Sequence, residues 1–359
     1  MKLILEAPFN GLSFGNVALN IVREFHRKDV SLSIFPTGEI DFKAYDLSDD
    51  LKKYIEDSIN NRWKNISSRT PSLKLWHLNG SENRKTKDQY LFTFYECNQP
   101  TEVETKICGL QDETFFSSRE AKKHFKDKGL TNCNFIPLGF DEDFKITGKE
   151  YLKDTIHFGL MGKWEKRKHT QKIIQTWLKS YGNNPKYQLS CCVSNPFFKP
   201  EQMQAIWNET LQGVNYSNLN IIPRLEKNQE VNELLNAIDI DLTGLSGGEG
   251  WNLPAFNATC LGKWSVVLNA TSHKDWATKE NSILIEPSGE MPAEDGVFFQ
   301  KDAPFNQGTF YTWSEDEVIE AMRKAESKVG QINTEGVKMG DTMTYSKTVD
   351  AILDCIYSS

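Results

Sequence analysis

Short apolar runs alternate along the chain with segments in which apolar residues recur every three or four positions. The runs predict buried strands, and the wider spacing predicts helices with one buried face. In the opening segment, Lys2–Pro8 is predicted to be a strand and Asn10–Asn16 a glycine-containing loop. The positions that follow place Val17, Ile21 and Phe25 on one face of a helix. The chain therefore begins with a strand, loop, helix unit.

This alternation continues through both halves of the chain and predicts an α/β fold. Further strands are predicted at Val30–Phe35, Leu73–Leu78, Tyr90–Tyr95, Thr155–Met161, Tyr187–Val193, Leu219–Pro223, Ile238–Leu242, Trp264–Leu268 and Ser282–Ile285, with a strand, helix, strand unit within Thr114–Phe140. Helices are predicted at Leu47–Asn65, Ser118–Lys128, Ile173–Tyr181, Pro200–Leu211, Val231–Leu235, Pro254–Cys260, Ser314–Lys328 and Thr344–Tyr357. Strands that alternate with helices of this length form parallel sheets with right-handed crossovers.

A polar segment divides the pattern into two halves. Lys145–Lys153 contains Gly148 and is the predicted interdomain linker. A chain of 359 residues is long enough for two domains at roughly 150 residues each. The predicted architecture is therefore two doubly wound, Rossmann-like domains that face each other across a cleft.

The charge balance narrows the classes of ligand. The chain has 42 Lys plus Arg against 49 Asp plus Glu, which gives a net charge of −7. This balance argues against attraction of the whole protein to nucleic acid or anionic lipid. Any phosphate group must then be met by a few placed cations.

Cysteine usage and the N-terminus indicate a compartment. Seven cysteines without a Cys-x-x-Cys spacing suggest neither a disulfide framework nor a zinc site. The first residues are too polar for a signal peptide, and no run reaches the roughly 18 apolar residues that span a bilayer. These features predict a soluble, cytoplasmic protein with reduced thiols.

Three loops that follow predicted strands are candidates for a site, because ligands of open α/β sheets bind beyond the carboxyl ends of the strands. The first loop, Asn10–Asn16, leads into a helix whose free amides can bind an anion. A purely structural turn explains Gly11 and Gly15 equally well, since glycine also serves turns that need positive φ.

The second loop lies within Phe158–His169, between a strand and a helix. Its cations are Lys163, Lys166, Arg167 and Lys168. Ammonium groups and helix amides around one point suit a diphosphate. A charge run is more often a solvated turn, but the position after a strand favours a binding role.

The third loop, Leu242–Pro254, has glycines at 244, 247, 248 and 250 around one acid, Glu249. Glycines let a ligand touch the backbone, and a carboxylate beside exposed amides can bind several hydroxyls at once. This combination suits a sugar ring.

Together these loops resemble the donor-binding domain of GT-B-fold glycosyltransferases of the family 4 type. Gly162, Lys163 and, five positions later, Lys168 match a glycine, basic residue and lysine of that family. Its Glu-Gly-aromatic-Gly-Leu-Pro motif is matched by Glu249-Gly250-Trp251-Asn252-Leu253-Pro254. Segments of the first half are also similar to the family, namely Phe116-Ser117-Ser118 and Ile136-Pro137-Leu138-Gly139-Phe140-Asp141. The resemblance covers most of the chain.

The resemblance implies a hexosyltransferase that moves a sugar from a nucleotide-sugar donor with retention of configuration. It implies an acceptor-binding domain at 1–147, a donor-binding domain at 148–340 and a C-terminal helix at 341–359 that packs back on the N-terminal domain. The implied catalytic residues are Lys163, Lys168 and Glu249. The implied donor-binding residues are Gly15, Arg224, Gly250, Trp251, Asn252, Leu253 and Asn257. Candidates on the acceptor side are Glu96, Asn98 and Ser118.

Three positions depart from the family pattern. Asn257 stands where the family has a second Glu that holds the ribose, and a neutral amide is a weaker partner than a carboxylate. Asn252 replaces a glycine. Lys163 replaces an arginine and gives up bidentate geometry. These departures affect the identity and affinity of the donor more than the fold.

The implied reaction needs a neutralised leaving group. Because the sequence has no clear metal-ligand cluster, we expect Lys163 and Lys168, aided by amides near Gly15, to stabilise the leaving diphosphate without a metal ion. Positive charge should therefore be concentrated around these two lysines. No cofactor is expected, and the donor is predicted to be a UDP-sugar, with a GDP-sugar as the alternative. A glycan, lipid, protein or modified nucleic acid is left open as acceptor, as is the oligomeric state.

Other functions remain open at this point. An epimerase or phosphorylase of the same fold would act on related substrates, and the loss of a Glu at Asn257 is compatible with a noncatalytic nucleotide-sugar-binding protein. A basic helix could face a membrane surface or a nucleic acid, although a solvated face is the default reading. Its cations are Arg119, Lys122, Lys123, Lys126 and Lys128.

Overall fold

The computed structural model describes residues 1–64, 66–149 and 151–357. Asn65, at the end of a predicted helix, Glu150 of the predicted linker, and Ser358 and Ser359 of the predicted C-terminal segment lie outside the described residues. Two six-stranded parallel sheets and one two-stranded antiparallel sheet form the framework of the described chain.

The N-terminal domain is built around the first sheet. Its strands are β1 (Lys2–Ala7), β2 (Ser31–Pro36), β3 (Ser72–Leu75), β4 (Gln89–Thr93), β5 (Glu113–Phe116) and β6 (Cys133–Phe135), in the spatial order β2-β1-β3-β4-β5-β6. Its helices are α1 (Ser13–Arg27), α2 (Asp49–Asn60), α3 (Glu102–Gly109) and α4 (Arg119–Asp127). The strand order reverses between β1 and β3, which places a binding crevice at their carboxyl ends.

The C-terminal domain is built around the second sheet. Its strands are β7 (Ile156–Lys163), β8 (Tyr187–Ser194), β9 (Leu219–Ile221), β10 (Ile240–Asp241), β11 (Trp264–Leu268) and β12 (Ser282–Ile285), in the spatial order β12-β11-β10-β7-β8-β9. Its helices are α5 (Thr170–Tyr181), α6 (Pro200–Leu211), α7 (Asn228–Ala237), α8 (Leu253–Cys260), α9 (Glu315–Glu326) and α10 (Thr334–Thr342). This is the strand order of Rossmann-type sheets, and it reverses between β7 and β10.

The predicted fold class, two doubly wound α/β domains, is confirmed. Strands of a parallel sheet are covered by helices on both faces, so they carry near-continuous apolar runs. Every residue of β11 is buried, as are Val17, Ile21 and Phe25 on the predicted inner face of α1. The elements that the pattern did not predict are α3, α10 and a hairpin.

That hairpin links the two domains. It consists of β13 (Gly289–Pro292) and β14 (Thr309–Thr312), and we call residues 289–312 the strap. Phe299 and Phe310 of the strap are buried in a core cluster with Tyr95, Phe116 and other residues of the N-terminal domain. The strap thus contributes apolar side chains from the C-terminal half of the chain to the core of the N-terminal domain.

The final helix, α11 (Tyr345–Tyr357), lies on the N-terminal domain. Asp350 pairs with Lys28 at 2.7 Å, directly after α1, and the Tyr357 hydroxyl donates to the Lys2 carbonyl at 2.6 Å. Val349 and Ile352 are fully buried in the same core cluster as the inner face of α1. The last described helix therefore lies beside the first strand.

The predicted linker is held by α7. Asn232 and Asn236 accept hydrogen bonds from the backbone amides of Lys145 and Thr147, each at 2.9 Å. The described part of the linker therefore follows one helix of the C-terminal domain.

Two further findings concern the whole described chain. None of its helices is both long and apolar enough to cross a membrane. No disulfide joins the seven cysteines, all of which are among the described residues.

Candidate active site

A cleft of about 900 Å³ lies between the two domains, at the carboxyl ends of their strands. Its walls include Asn10 to Phe14 after β1 and Trp76 to Gly80 after β3. On the opposite side they include the loops after β7 and β10. Both reversals of strand order therefore open into one space, which is where ligands of such sheets bind. All three candidate loops contribute to this cleft.

The cations of the loop after β7 differ in how deeply they are buried. After β7, a 3₁₀ turn spans Lys166–Lys168, and His169 then adopts a left-handed conformation with φ of 54°. The His169 ring contacts the Tyr311 carbonyl through Nε2 at 2.7 Å, which ties this turn to the strap. Arg167 is buried, whereas Lys163 and Lys168 are half-buried, and all three side chains line the cleft.

The glycine-rich loop lies tightly against the N-terminal domain. A Cβ on Gly250 would come within 2.6 Å of the Phe94 Cβ, so a larger residue would push the domains apart there. The Gly250 carbonyl accepts a hydrogen bond from Ser117 at 2.6 Å. Asn252 occupies the left-handed region with φ of 68°, where asparagine is tolerated better than most residues. The replacement of the family's glycine at this position is therefore conformationally reasonable.

Glu249 is the centre of a buried charge cluster. Lys168 Nζ lies 2.5 Å from its Oε1, and Arg167 Nη1 lies 3.0 Å from its Oε2. The other guanidinium nitrogen, Nη2, lies 2.8 Å from Glu165 Oε2 and 2.9 Å from Glu96 Oε1. Lys163 is 3.8 Å from Glu165. The predicted residues Lys163, Lys168, Glu249 and Glu96 therefore come together.

The cluster is close to electrically neutral, which corrects the expectation of concentrated positive charge around Lys163 and Lys168. Buried cations need partners because an unpaired charge is costly away from water. Burial alone would raise the pKa of Glu249, but the charges of Arg167 and Lys168 outweigh burial and hold its pKa well below its usual range. Glu249 is therefore ionised.

Glu96 behaves in the opposite way. Burial raises the pKa of Glu96 to about 7. The positive charge of Arg167 lowers this pKa, whereas the negative charges of Glu249 and Glu165 raise it further. Two carboxylates on one guanidinium thus have pKa values pushed in opposite directions. Such a pair is typical of functional sites.

The predicted donor-binding residues lie around this cluster, with one exception. Gly250, Trp251, Asn252, Leu253 and Asn257 line the cleft along the start of α8, and Arg224 lines it from the loop after β9. Asn257 is buried, and its Oδ1 has no hydrogen-bond partner within the described parts of the chain. A buried, unsatisfied oxygen of this kind is ready to accept from a ligand hydroxyl.

Gly15 is the exception. It is buried within the first turn of α1, where a Cβ would come within 2.0 Å of the Asn10 carbonyl oxygen, and it does not line the cleft. Close packing therefore explains this glycine. Gly11 lines the cleft in its place.

Two acceptor-side candidates also lie away from the cleft lining. Asn98 binds the strap, because its Nδ2 donates to Thr309 Oγ1 at 2.7 Å and its Oδ1 accepts from the Thr309 amide at 2.9 Å. Ser118 caps α4 by accepting from the Ala121 amide at 3.3 Å. Both contacts are structural, and Glu96 is the acceptor-side candidate that faces the cleft.

The cleft residues that were not predicted as site residues include Arg167, Glu165 and His77. Arg167 and Glu165 belong to the quoted cationic loop, but the spacing gives no sign of which charge is buried. His77 follows β3 at the reversal of strand order, a position that could have indicated it. Desolvation by the cleft walls lowers its pKa, and the cations Lys163 and Arg167 lower it further, so the ring is neutral.

The described residues contain no group of three or more His, Cys, Asp or Glu side chains placed to hold a metal ion. The charges that face the cleft include those of a lysine and an arginine that pair with the carboxylates of Glu96, Glu165 and Glu249.

Comparison with known proteins relates the fold to solved structures. No protein-family model matches the sequence, and no curated protein matches it. The sucrose-phosphate synthase of Thermosynechococcus elongatus aligns over 99% of this chain and 98% of its own, with a TM-score of 0.70 and 10% identity. The Anabaena protein HepE in complex with UDP-glucose aligns over 100% of both chains, with a TM-score of 0.63 and 10% identity.

A structure described as "Trehalose-6-phosphate from E. coli bound with UDP-2-fluoro glucose" aligns over 99% of each chain, with a TM-score of 0.65 and 11% identity. At identities this low, the similarity establishes the architecture. The two six-stranded parallel domains facing a common cleft have the GT-B fold.

Proposed function

We propose that this protein is a glycosyltransferase that takes a nucleotide-sugar donor. The observation that carries the proposal is the buried Lys168, Glu249 and Arg167 cluster, which lies where the strand-order reversals of both domains open into one cleft. A carboxylate beside exposed amides binds hydroxyls, and adjacent lysines bind phosphate. Both halves of a nucleotide sugar thus meet suitable groups within one site.

The proposed donor is a UDP-hexose, with a GDP-sugar as the alternative. Structures of similar fold have been determined with UDP-glucose and UDP-2-fluoro glucose. These complexes support UDP, rather than GDP, as the nucleotide of the proposed donor. Asn257 would accept from the ribose through its unpartnered Oδ1, and Arg224 would flank the base. An amide in place of a carboxylate lowers the expected affinity for the ribose.

In the proposed reaction, the bond between the anomeric carbon and the diphosphate oxygen breaks, and the acceptor hydroxyl attacks that carbon from the same face while its proton passes to the departing diphosphate. Lys163 and Lys168 neutralise the leaving diphosphate, and Glu249, with the amides of Gly250 to Asn252, holds the sugar hydroxyls. Groups fixed in advance around a developing charge stabilise the transition state without reorganisation. We propose that these cations suffice without a metal ion, and that configuration is retained.

We assign the acceptor to the N-terminal domain, residues 1–147, and the donor to residues 148–340, with the C-terminal segment 341–359 returning to the first domain. Glu96 faces the cleft from the acceptor side. The basic helix α4 gives limited support for a membrane or nucleic-acid acceptor, because two of its cations already have acidic partners. Arg119 pairs with Asp275, and Lys123 pairs with Asp127. We also propose a cytoplasmic location, which the absence of disulfides among the cysteines supports.

The first experiment is isothermal titration calorimetry with UDP, GDP and their sugars. We expect UDP and at least one UDP-sugar to bind and GDP to bind more weakly. Release of UDP from the selected donor should be accelerated by an acceptor panel of glycans, lipid-linked sugars and glycosylated proteins. Excess EDTA should leave this rate unchanged, and NMR of the product should show the anomeric configuration of the donor.

The possible results separate the alternatives. Failure of every nucleotide to bind contradicts the proposal as a whole. Tight donor binding without transfer or hydrolysis identifies a noncatalytic binding protein. Conversion of the sugar nucleotide in the absence of any acceptor identifies an epimerase. Complete loss of rate in EDTA that a divalent metal restores contradicts the lysine-based mechanism.

A further inference from the structure

Arg167 joins three carboxylates within the cleft. Its side chain is 8% exposed, and Nη1 donates to the Gly248 carbonyl at 2.6 Å in addition to its contact with Glu249. Nη2 contacts Glu165 and Glu96 at 2.8 and 2.9 Å. A planar guanidinium with both terminal nitrogens engaged has little freedom to rotate. Any group that holds one of its nitrogens therefore constrains what the other nitrogen contacts.

Glu96 differs from the other two carboxylates because it comes from the opposite domain. It follows β4 of the N-terminal domain, whereas Glu165 and Glu249 follow β7 and β10 of the C-terminal domain. The contact between Glu96 and Arg167 therefore crosses the cleft. The Glu96 backbone also lies close to the glycine-rich loop, since a Cβ on Gly248 would come within 2.9 Å of the Glu96 carbonyl oxygen.

The orientation of Glu249 depends on Arg167. Lys168 holds one oxygen of the Glu249 carboxylate and Arg167 holds the other. A lysine is a point charge that permits rotation, whereas a guanidinium contact is directional. Arg167 therefore fixes the direction in which Glu249 presents its oxygens, and Glu96 steadies Arg167 from across the cleft.

Several titratable groups face Glu96 and influence whether its carboxyl group is protonated. Those of the C-terminal domain are Arg167, Lys168, Glu165 and Glu249, and the neighbour in its own loop is the buried thiol of Cys97. The three cations Lys163, Arg167 and Lys168 minus the carboxylates of Glu165 and Glu249 leave a formal charge of +1 when Glu96 is protonated. Ionisation of Glu96 brings the cluster to zero. With its pKa raised to about 7, Glu96 changes charge near neutral pH.

We propose that Glu96 is a positioning residue, which holds Arg167 across the cleft and thereby orients Glu249 for sugar transfer, and that protonation of Glu96 releases this hold. This inference rests on the proposed function, because Glu249 acts there on the hydroxyls of the donor sugar. It goes further by linking the approach of the N-terminal domain to the alignment of a residue in the C-terminal domain.

The test compares the wild type with Glu96→Gln, using the UDP-sugar that calorimetry selects as donor and UDP as the binding probe. In the wild type, kcat should rise about tenfold as the pH passes through 7, since Glu96 gains its charge there. In the variant, kcat should stay at about the low-pH value of the wild type across this range. The Kd for UDP should change by less than about threefold, because the lysines that meet the diphosphate are unchanged.

A matched control is Glu120→Gln. Glu120 also pairs between elements of the two domains, with Lys274 Nζ at 3.0 Å and the Tyr311 hydroxyl at 3.3 Å, but it does not line the cleft. This variant should keep the wild-type kcat and pH profile. A general weakening of the domain contact would instead lower kcat in both variants.

Three results would overturn the inference. These are a wild-type pH profile in Glu96→Gln, an equal loss of kcat in Glu120→Gln, and a loss of UDP affinity in Glu96→Gln that matches the loss of kcat. If Glu96→Gln does not fold, Arg167→Lys replaces it and should likewise lower kcat and remove the pH step. If the wild type binds no UDP, the proposed function is contradicted instead. If the wild type turns over the donor and Glu96→Gln has the same kcat and pH profile, only this inference is contradicted.

Discussion

For Glu249→Gln we expect nucleotide binding and turnover to change in opposite directions. The ionised carboxylate of Glu249 is paired with Lys168 at 2.5 Å and Arg167 at 3.0 Å, so it neutralises the cations that a diphosphate has to approach. Glutamine has nearly the same shape and keeps the ability to accept a hydrogen bond, but it removes one negative charge. The substitution therefore tests the charge of Glu249 with little change in packing.

The magnitude follows from Coulomb's law. Two unit charges about 6 Å apart interact by roughly 3 kcal/mol at an effective dielectric constant of about 20. Screening by solvent in the open cleft reduces the gain for UDP to about 1 kcal/mol, which corresponds to a roughly fivefold lower Kd. Turnover of the UDP-sugar should fall about tenfold to a thousandfold, since the sugar hydroxyls lose a charged partner in the transition state.

The two quantities are measured separately, by calorimetry with UDP and by release of UDP from the donor. Removal of one member of a buried ion pair can cost about 3–5 kcal/mol of folding free energy, so near-UV circular dichroism has to show a folded variant first. The reasoning is refuted if UDP affinity falls in parallel with turnover, or if turnover stays near that of the wild type.

Four further predictions address other parts of the structure. Lys168→Ala should lower turnover by about tenfold to a thousandfold and, unlike Glu249→Gln, should weaken UDP binding as measured by calorimetry. Asn257→Ala should raise the Kd for UDP about tenfold while leaving the melting temperature of the unliganded protein unchanged, because no described residue binds its Oδ1. Desolvation raises the pKa of the buried Asp241 to about 6. The folded protein therefore loses stability as the pH rises from about 4 to 6 and the carboxyl group ionises. Asp241→Asn should add up to roughly 3 kcal/mol to the free energy of unfolding at pH 8 but little at pH 4, as measured by urea titration. Phe310→Ala should cost about 3–5 kcal/mol in the same titrations, because Phe310 is fully buried in the core shared by the strap and the N-terminal domain.

The sequence was most informative in segments where the apolar residues follow a single helix or strand periodicity. The long amphipathic helix α1 and the continuous apolar strands could be predicted because parallel sheets bury their strands on both faces. Helix α3 was missed since it has only eight residues, although Thr101 and Glu104 form a capping box that could have indicated its start. The strap was missed for a different reason. Its strands are short, one of them ends in Pro292, and their pairing depends on contacts with the other domain.

Within the site, the sequence could identify the loops but not the direction of each side chain. Spacing and family resemblance indicated Lys163, Lys168 and Glu249, which the structure brings together. Whether Arg167 or a neighbouring lysine is buried depends on the left-handed turn at His169 and on its contact with the strap. The sequence also could not separate Gly15, which packs against Asn10, from Gly11, which lines the cleft, because a glycine needed for packing and a glycine that faces a ligand have the same sequence signal.

The near neutrality of the cluster has a consequence for ligand selection. Lys168 is paired with Glu249, so a ligand gains little by approaching this lysine unless it offers a competing negative charge. A diphosphate does so, and it lets Lys168 exchange one anionic partner for another while Arg167 retains Glu249. A neutral nucleoside or free sugar offers no such exchange. The carboxylates that cancel the positive charge of the cleft would therefore also restrict it to ligands that carry phosphate.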